Sequence, residues 1–150
     1  MSARASFTFD HLGSEDEMGS LYGVLDRHGV TSTFFLEGEH GRKRPAAVAD
    51  LVARGHELGM HGWAHELWSE LAPADEDDLA ARATDALAEA AGVRPAGFRA
   101  PGGSRTAHTP AVLERLGYTY DASLGDGMRV GRLTPHLAQV PFVWPGVDGF

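Results

Sequence analysis

Short β-prone segments alternate with helical segments along almost the whole chain, and this alternation limits the fold more than any other sequence feature. Aromatic and β-branched runs predict strands over residues 5–10, 31–36, 57–61, 98–100, 118–121 and 139–142. Apolar residues at a period of 3.6 predict helices over residues 18–28, 45–54, 73–91 and 109–116. Strands that alternate with helices form right-handed βαβ units. The sequence therefore predicts an α/β fold with a parallel sheet, either a barrel or an open sheet.

Two of the predicted helices begin with residues that suit a helix N-terminus. Thr109 and Pro110 are expected to cap the fourth helix, because threonine favours the capping position and proline the first turn. A run of acidic residues at 75–78 stands near the start of the third helix. This run is expected to lie on a solvated face and to complement the positive end of the helix dipole.

Composition excludes several kinds of partner and of site. The chain has 150 residues, about one domain in length, and a formal net charge of −8, which makes nucleic acid an unfavourable partner. It has no cysteine, so a transition metal would need histidine, aspartate or glutamate ligands. No apolar run approaches the roughly 20 residues of a membrane span, and no signal sequence is recognisable. We therefore expect a cytoplasmic protein with no membrane partner.

Three polar clusters stand where predicted strands end. Asp10 and His11 close the first strand, His61 and His65 follow the third, and Arg99 lies at the end of the fourth. Each cluster alone has an ordinary explanation, namely a turn, a chance pair among eight histidines, and a surface arginine. However, the carboxyl ends of parallel strands meet at one edge of the sheet, where ligands bind in such folds. The equivalent positions of the clusters therefore favour a shared site.

The residue types in these clusters point to metal chemistry. Neutral imidazoles suit zinc and other late first-row metals, and His61 and His65 are four residues apart. Gly62 disfavours a regular helix between them, so the pair is expected to span a strand end and the following turn. Arg99 can hold a carboxylate through two parallel hydrogen bonds. The tight loop at residues 101–103 is expected to offer a backbone N–H to a developing oxyanion.

In this order, the clusters resemble the motifs of the NodB-type polysaccharide deacetylases, which form carbohydrate esterase family 4. Residues 8–11 read Thr-Phe-Asp-His and are similar to the family's Thr-Phe-Asp-Asp motif. Residues 61–65 are similar to its His-(Ser/Thr)-x-x-His motif, and residues 99–103 to its Arg-x-Pro-(Tyr/Gly)-Gly motif. Residues 33–35 and 139–141 resemble the second strand and a late strand of the family. The resemblance extends from about Phe7 to Trp144.

The resemblance implies a distorted (β/α) barrel, a divalent metal that is commonly zinc, and hydrolysis of an acetyl group on a carbohydrate polymer. It also implies that Asp10 is the general base, that His61 and His65 bind the metal, and that Arg99 orients the base. Candidate substrate-binding residues are Trp63, Pro101 and Gly102. Trp63, Trp68 and Trp144 are each able to stack on a sugar ring, although tryptophan more often packs in a core.

The chain departs from the family at the position of His11, where the family has an aspartate that binds the metal. Histidine binds the same metals, so His11 completes a three-histidine site or Asp10 itself turns to the metal. The departure also leaves open a second function, the hydrolysis of a small non-sugar amide by an allantoinase-like enzyme. The expected cytoplasmic location favours that alternative, because polymer deacetylases usually work outside the membrane.

The second departure concerns the C-terminal part of the family pattern. The family's late catalytic histidine has no recognisable counterpart, since His136 precedes the last predicted strand. The single domain over residues 1–150 is therefore expected to lack one βα unit. Three explanations stay open: a shortened gene product, an inactive metal-binding remnant, or a homo-oligomer in which a neighbouring subunit completes the barrel.

Overall fold

A computed structural model describes residues 5–125 and 127–143, and it confirms the α/β fold with a mostly parallel sheet. Seven strands lie in the order β1-β2-β3-β4-β5-β7-β6, and each pairing is parallel except the antiparallel pair of β6 and β7. The strands are β1 (Thr8–Asp10), β2 (Thr33–Leu36), β3 (Glu57–Met60), β4 (Gly97–Phe98), β5 (Tyr120–Asp121), β6 (Gly131–Arg132) and β7 (Ala138–Gln139).

Five α-helices and one 3₁₀ turn connect the strands. The helices are α1 (Glu15–His28), α2 (Gly38–Lys43), α3 (Pro45–Ala53), α4 (Pro73–Ala91) and α5 (Thr109–Leu116), and the 3₁₀ turn is Trp68–Glu70. All four predicted helices are present. Among the described residues, no helix is both long and apolar enough to cross a lipid bilayer.

Three elements were not predicted, namely α2, β6 and the 3₁₀ turn, and one strand was misplaced. Helix α2 has a polar sequence with two glycines, and β6 is only two residues long. The last predicted strand, at 139–142, is instead β7, while Phe142 forms an isolated parallel bridge with Leu124. Short strands of this kind are defined by their neighbours in the sheet rather than by local sequence. Trp144 lies outside the described residues.

The sheet curls so that its first and fourth strands face one another. In a flat sheet β1 and β4 would be about 14 Å apart, at about 4.8 Å per strand. However, the Arg99 guanidinium, just after β4, donates to Asp10 Oδ1 at 2.7 Å and to Thr8 Oγ1 at 3.0 Å, both in β1. The two side chains would approach that distance only if both lay fully extended in the plane of the sheet, but Arg99 Nε is held by Ala122 O, after β5, on the side away from β1. The strands therefore wrap around a shared interior, as in a distorted barrel.

The acidic run near the start of α4 is not entirely solvated, which corrects the prediction. Glu76 is fully buried, and its carboxylate accepts hydrogen bonds from Trp68 Nε1 at 3.1 Å and Thr106 Oγ1 at 2.6 Å. Position 76 lies on the same helix face as the buried Ala80, Ala83 and Leu87. The helix period therefore turns Glu76 inward, where polar partners compensate its burial.

The cap of α5 is also different from the predicted one. Thr106 Oγ1, rather than Thr109, accepts hydrogen bonds from the backbone N–H groups of His108 and Thr109, at 3.0 and 3.2 Å. The hydroxyl of Thr109 is buried and accepts a hydrogen bond from Trp68 Nε1 at 3.2 Å. Proline does occupy the first turn, as predicted. Thr106 and Thr109 together tie the start of α5 to the Trp68 turn.

Helix α2 depends on a close approach to α4, and a glycine makes that approach possible. A Cβ at Gly38 would lie 2.5 Å from Ala83 Cα and 2.7 Å from the Trp63 ring. The N–H groups of Gly38 and Glu39 donate to the carbonyls of Gly62 and Trp63, both at 3.0 Å. The start of α2 is therefore fixed against the loop that follows β3.

Gly38→Ala is expected to destabilise the protein by about 1–3 kcal/mol, because the added methyl group overpacks the contact between α2 and α4. The matched control is Gly19→Ala on the exposed face of α1, where an added Cβ meets nothing within 4 Å. This control should stabilise the protein by about 0.5–1 kcal/mol, since alanine is the better helix former. Urea unfolding of both variants measures the difference, and equal effects of the two substitutions would contradict the packing argument.

Candidate active site

The site begins where β1 ends. Asp10 is the last residue of β1, and the N–H of His11 donates to Phe35 O at 3.0 Å. His11 then adopts a φ of 72°, in the left-handed region that residues with a Cβ seldom occupy. This turn points the chain out of the sheet directly after the two polar residues.

A second strand end carries the paired histidines. The N–H of His61 donates to Leu36 O at 2.8 Å, and Gly62 then turns the chain with a φ of 75°. Both Glu66 carboxylate oxygens accept from the loop, from the N–H groups of Trp63 at 3.0 Å and Ala64 at 2.9 Å. His65 has a φ of 62°, so two of the three clustered histidines have a strained backbone. Such strain tends to concentrate at functional sites.

Three imidazoles meet above these strand ends. One nitrogen from each of His11, His61 and His65 lies within 4.8 Å of the others, and the ring centroids are 5.0–5.3 Å apart. His61 is buried, whereas His11 and His65 are exposed, so the cluster opens to solvent. His61 Nδ1 lies 2.8 Å from Arg99 O. Because a carbonyl only accepts hydrogen bonds, Nδ1 must carry the proton, which leaves the lone pair on Nε2.

Glu37, directly after β2, contacts the three-histidine cluster through His11. One carboxylate oxygen contacts His11 Nδ1. The other lies 3.0 Å from His40 Nε2, but the angle of this contact is not that of a hydrogen bond. The hydrogen bond that His11 donates to Glu37 raises the pKa of His11. Burial alone would raise the pKa of Glu37, but the contacts with the two histidines outweigh it and hold that pKa well below its usual range. Burial lowers the pKa of His61, which favours the neutral form that binds metals.

Arg99 fixes the carboxylate of Asp10 beside the imidazoles. Its Nε donates to Ala122 O at 3.2 Å, and its guanidinium carbon lies 4.3 Å from the centre of the Phe35 ring. The guanidinium is therefore held in place by groups other than Asp10. With Oδ1 of Asp10 bonded to Arg99, Oδ2 faces His61 Nε2 at 3.9 Å. Asp10 keeps one carboxylate oxygen open on the side of the three histidines.

The loop after Arg99 places the predicted substrate-binding residues at different depths. Pro101 is buried, whereas Gly102 is exposed with a φ of 73°. The N–H of Gly103 already donates to Ala100 O at 2.8 Å, so Gly102 supplies the remaining N–H donor of the predicted loop. Trp63 is buried with the Arg82 guanidinium 3.7 Å above its ring. That ring face is covered in this conformation, and sugar stacking on Trp63 stays a prediction.

The residues present fit a divalent metal such as zinc. Three imidazole nitrogens converge, which is a donor set that zinc uses when one position is kept for water or substrate. Two of the rings also bond through Nδ1 to a carbonyl or a carboxylate, which would leave Nε2 for a metal, as in most metal-binding histidines. Asp10 stands beside the three histidines and not among the clustered donors.

Sequence reasoning missed two acidic residues at strand ends. Glu37 follows β2 and Asp121 ends β5, so both occupy positions equivalent to that of Asp10. Asp121 is fully buried, accepts from Ser123 N at 2.8 Å and lies 3.3 Å from Arg105 Nη1. Burial raises the pKa of Asp121. The signal that identified the other clusters, a polar residue directly after a buried strand, was present at both positions.

Comparisons with known proteins identify the family to which the chain belongs. Residues 2–120 match the family profile of the polysaccharide deacetylases, and the chain therefore belongs to the polysaccharide deacetylase family. It is 34% identical over 109 residues to a peptidoglycan deacetylase-like protein, FGM2, of Gibberella zeae, covering 71% of this chain and 32% of that protein. It is 33% identical over 128 residues to a chitooligosaccharide deacetylase of Bradyrhizobium sp., covering 83% and 52% respectively. The chain thus spans about a third to a half of these relatives.

Among solved structures, the family 4 carbohydrate esterase of Streptomyces lividans, in complex with acetate, matches with a TM-score of 0.73 and 28% identity, covering 80% of this chain and 62% of that one. An allantoinase, Puue, matches with a TM-score of 0.73 and 18% identity, covering 92% and 61%. A family 4 pseudoenzyme from Bacillus anthracis matches with a TM-score of 0.68 and 20% identity, covering 74% and 40%. The last two likenesses show the fold alone, so the substrate has to be argued from the site.

Proposed function

We propose that this protein is a metal-dependent hydrolase that removes acetyl groups from an N-acetylated carbohydrate. The observation that carries the proposal is the cluster of His11, His61 and His65 beside an aspartate that Arg99 holds in place. Membership of the polysaccharide deacetylase family and the deacetylase names of the two relatives support the same substrate class.

The three histidines would hold the metal, zinc being the ion that best suits their donor set. When bound, the ion would polarise the acyl oxygen and make a bound water more acidic. His61 would contribute Nε2, because its Nδ1 is bonded to Arg99 O. The exposure of His11 and His65 leaves the cluster accessible from solvent, which a carbohydrate substrate requires.

Asp10 acts as the base in this proposal. Its Oδ2 is free to accept a proton from the attacking water, since Oδ1 is bonded to Arg99. Water then adds to the acetyl carbon, the C–N bond breaks, and the proton held by Asp10 passes to the departing nitrogen. The products are acetate and a free amine. Gly102 N–H is the donor that the loop offers to the oxyanion formed during this addition.

A second candidate function is hydrolysis of a small non-sugar amide, and the histidine at position 11 favours it. This residue replaces the aspartate of the family motif, and the chain shares its fold with an allantoinase. The two candidates use the same metal-binding residues and the same base. They differ in the groups on either side of the amide bond, so a comparison of substrates separates them.

Acetate release from N-acetylated chitooligosaccharides by the zinc-loaded protein tests the proposal. The expected result is one free amine per acetate, with activity lost after chelation and restored by zinc. Allantoin and simple acetamides serve as the competing substrates. Turnover of these alone would favour the second candidate, whereas a fully metal-loaded protein that hydrolyses none of them would support an inactive metal-binding remnant.

A further inference from the structure

We propose that Glu37, supported by His40, is a positioning residue that enables His11 to serve as a metal ligand. The inference rests on the proposed metal-dependent function. It adds an explanation of how histidine replaces the aspartate of the family motif. Positions 11 and 37 would then act as a pair. In the family motif an aspartate carboxylate binds the metal directly, whereas here the Glu37 carboxylate would contact the His11 imidazole on the side away from the metal.

The position of Glu37 directs its charge toward two histidines. Its side chain is 9% exposed, and the side chains that pair with it in the described part of the chain are those of His11 and His40. Glu37 also stands at the N-terminal cap of α2, yet its carboxylate makes no capping hydrogen bond. The side chain turns away from the helix and toward the three-histidine cluster.

The chemistry of imidazole explains why the carboxylate matters. A neutral imidazole carries its proton on one nitrogen and offers the lone pair of the other to a metal. With Glu37 accepting from Nδ1 of His11, the proton stays on Nδ1 and Nε2 is left to bind. The carboxylate also makes the ring more basic and fixes its orientation. An aspartate ligand needs no such partner, because it has no tautomers and brings its own negative charge.

Backbone strain at His11 is a second reason why its ring needs a partner that restrains it. His11 has a φ of 72° and a side chain that is 48% exposed, so packing alone does little to fix the ring. The contact with Glu37 provides that restraint. His40, only 23% exposed, lies against the other carboxylate oxygen and restricts Glu37 in turn. The three residues form a row from α2 to the cluster.

Zinc affinity, measured by competition with a chromophoric chelator at fixed pH, tests the proposal without reference to activity. Glu37→Met removes the acceptor at nearly constant volume and is expected to weaken zinc binding about 10–100-fold. Glu37→Gln keeps an acceptor oxygen but loses the charge, so we expect a smaller loss. The matched control is Glu39→Gln, two residues along, where the carboxylate pairs with Lys43 at the surface. Its zinc affinity should equal that of the unaltered protein.

A rescue variant separates positioning from a general structural role. In a His11→Asp background the ligand no longer depends on Glu37, so adding Glu37→Gln or Glu37→Met should leave zinc affinity unchanged or raise it. A similar loss in both backgrounds would show that Glu37 merely supports the fold, and the proposal would be wrong. Thermal unfolding of the zinc-free variants checks folding. If Glu37→Met fails to fold, the two Glu37→Gln variants decide between the outcomes.

The same titrations distinguish failure of this inference from failure of the proposed function. If the unaltered protein binds zinc through His61 and His65 but is insensitive to Glu37→Gln and Glu37→Met, the role of Glu37 is refuted while the metal site stands. If the unaltered, folded protein binds no zinc or other divalent ion, the proposed function and this inference are both wrong.

Discussion

Asp10→Asn is expected to lower acetate release about 10²–10⁴-fold, the usual range for loss of a general base. Asparagine has nearly the same shape as aspartate and keeps an oxygen that accepts from Arg99. It cannot take a proton from water at neutral pH. Since Asp10 stands outside the three clustered imidazoles, zinc should remain bound. Steady-state acetate release and metal content, measured on the same preparation, check both parts of the expectation.

The matched control for this variant is Asp16→Asn, in the exposed first turn of α1. It changes the charge equally but lies outside the site, so turnover should stay within about twofold of the original rate. Loss of zinc together with turnover in Asp10→Asn would show that Asp10 is a ligand. An unchanged rate would remove Asp10 from the mechanism.

His61→Ala is expected to have the largest effect on metal binding. His61 is the buried member of the cluster, and because its Nδ1 is bonded to Arg99 O, Nε2 is the nitrogen left to bind a metal. Loss of a ligand should cost more affinity than the roughly 10–100-fold typical of an outer supporting group. The purified variant should therefore lose its zinc on dialysis, as measured by elemental analysis.

His28→Ala is the control for this measurement, because His28 is an exposed histidine in the last turn of α1. It removes one imidazole from the chain without touching the cluster. Full zinc retention by a folded His61→Ala variant would place the metal elsewhere. His65→Ala should also weaken zinc binding, but by less than His61→Ala, because His65 is an exposed member of the cluster.

The order of the main strands and of four of the five α-helices was predictable from the sequence, because each of these helices carries its own apolar period and each of these strands its own β-prone run. The three site clusters were predictable for a related reason, since parallel strands bring their carboxyl ends to one edge. The actual strand ends were less predictable: β4 and β5 are two residues each, and their pairing partners define them. Helix α2 depends on carbonyls of the loop after β3, which no local pattern shows.

The polar residues that were missed have long-range partners. Glu76 pairs with Trp68 and Thr106, and Glu37 pairs with His11, 26 residues away. Local sequence marks both as ordinary acidic residues near a helix N-terminus. The helix period could have placed Glu76 on the buried face, and the strand-end position could have drawn attention to Glu37. The pairing of Glu37 with His11 follows from the parallel pairing of β1 with β2, which brings the ends of these two strands together.

X-ray absorption at the zinc edge of the zinc-loaded protein tests the three-histidine site directly, because it counts the imidazoles around the ion. We expect three imidazole nitrogens at about 2.0–2.1 Å, with one fewer in His11→Ala and no change in Asp10→Asn. Two imidazoles and a carboxylate oxygen in the unaltered protein, with that oxygen lost in Asp10→Asn, would contradict it. Asp10 would then be a metal ligand rather than the base, and His11 would lie outside the metal site.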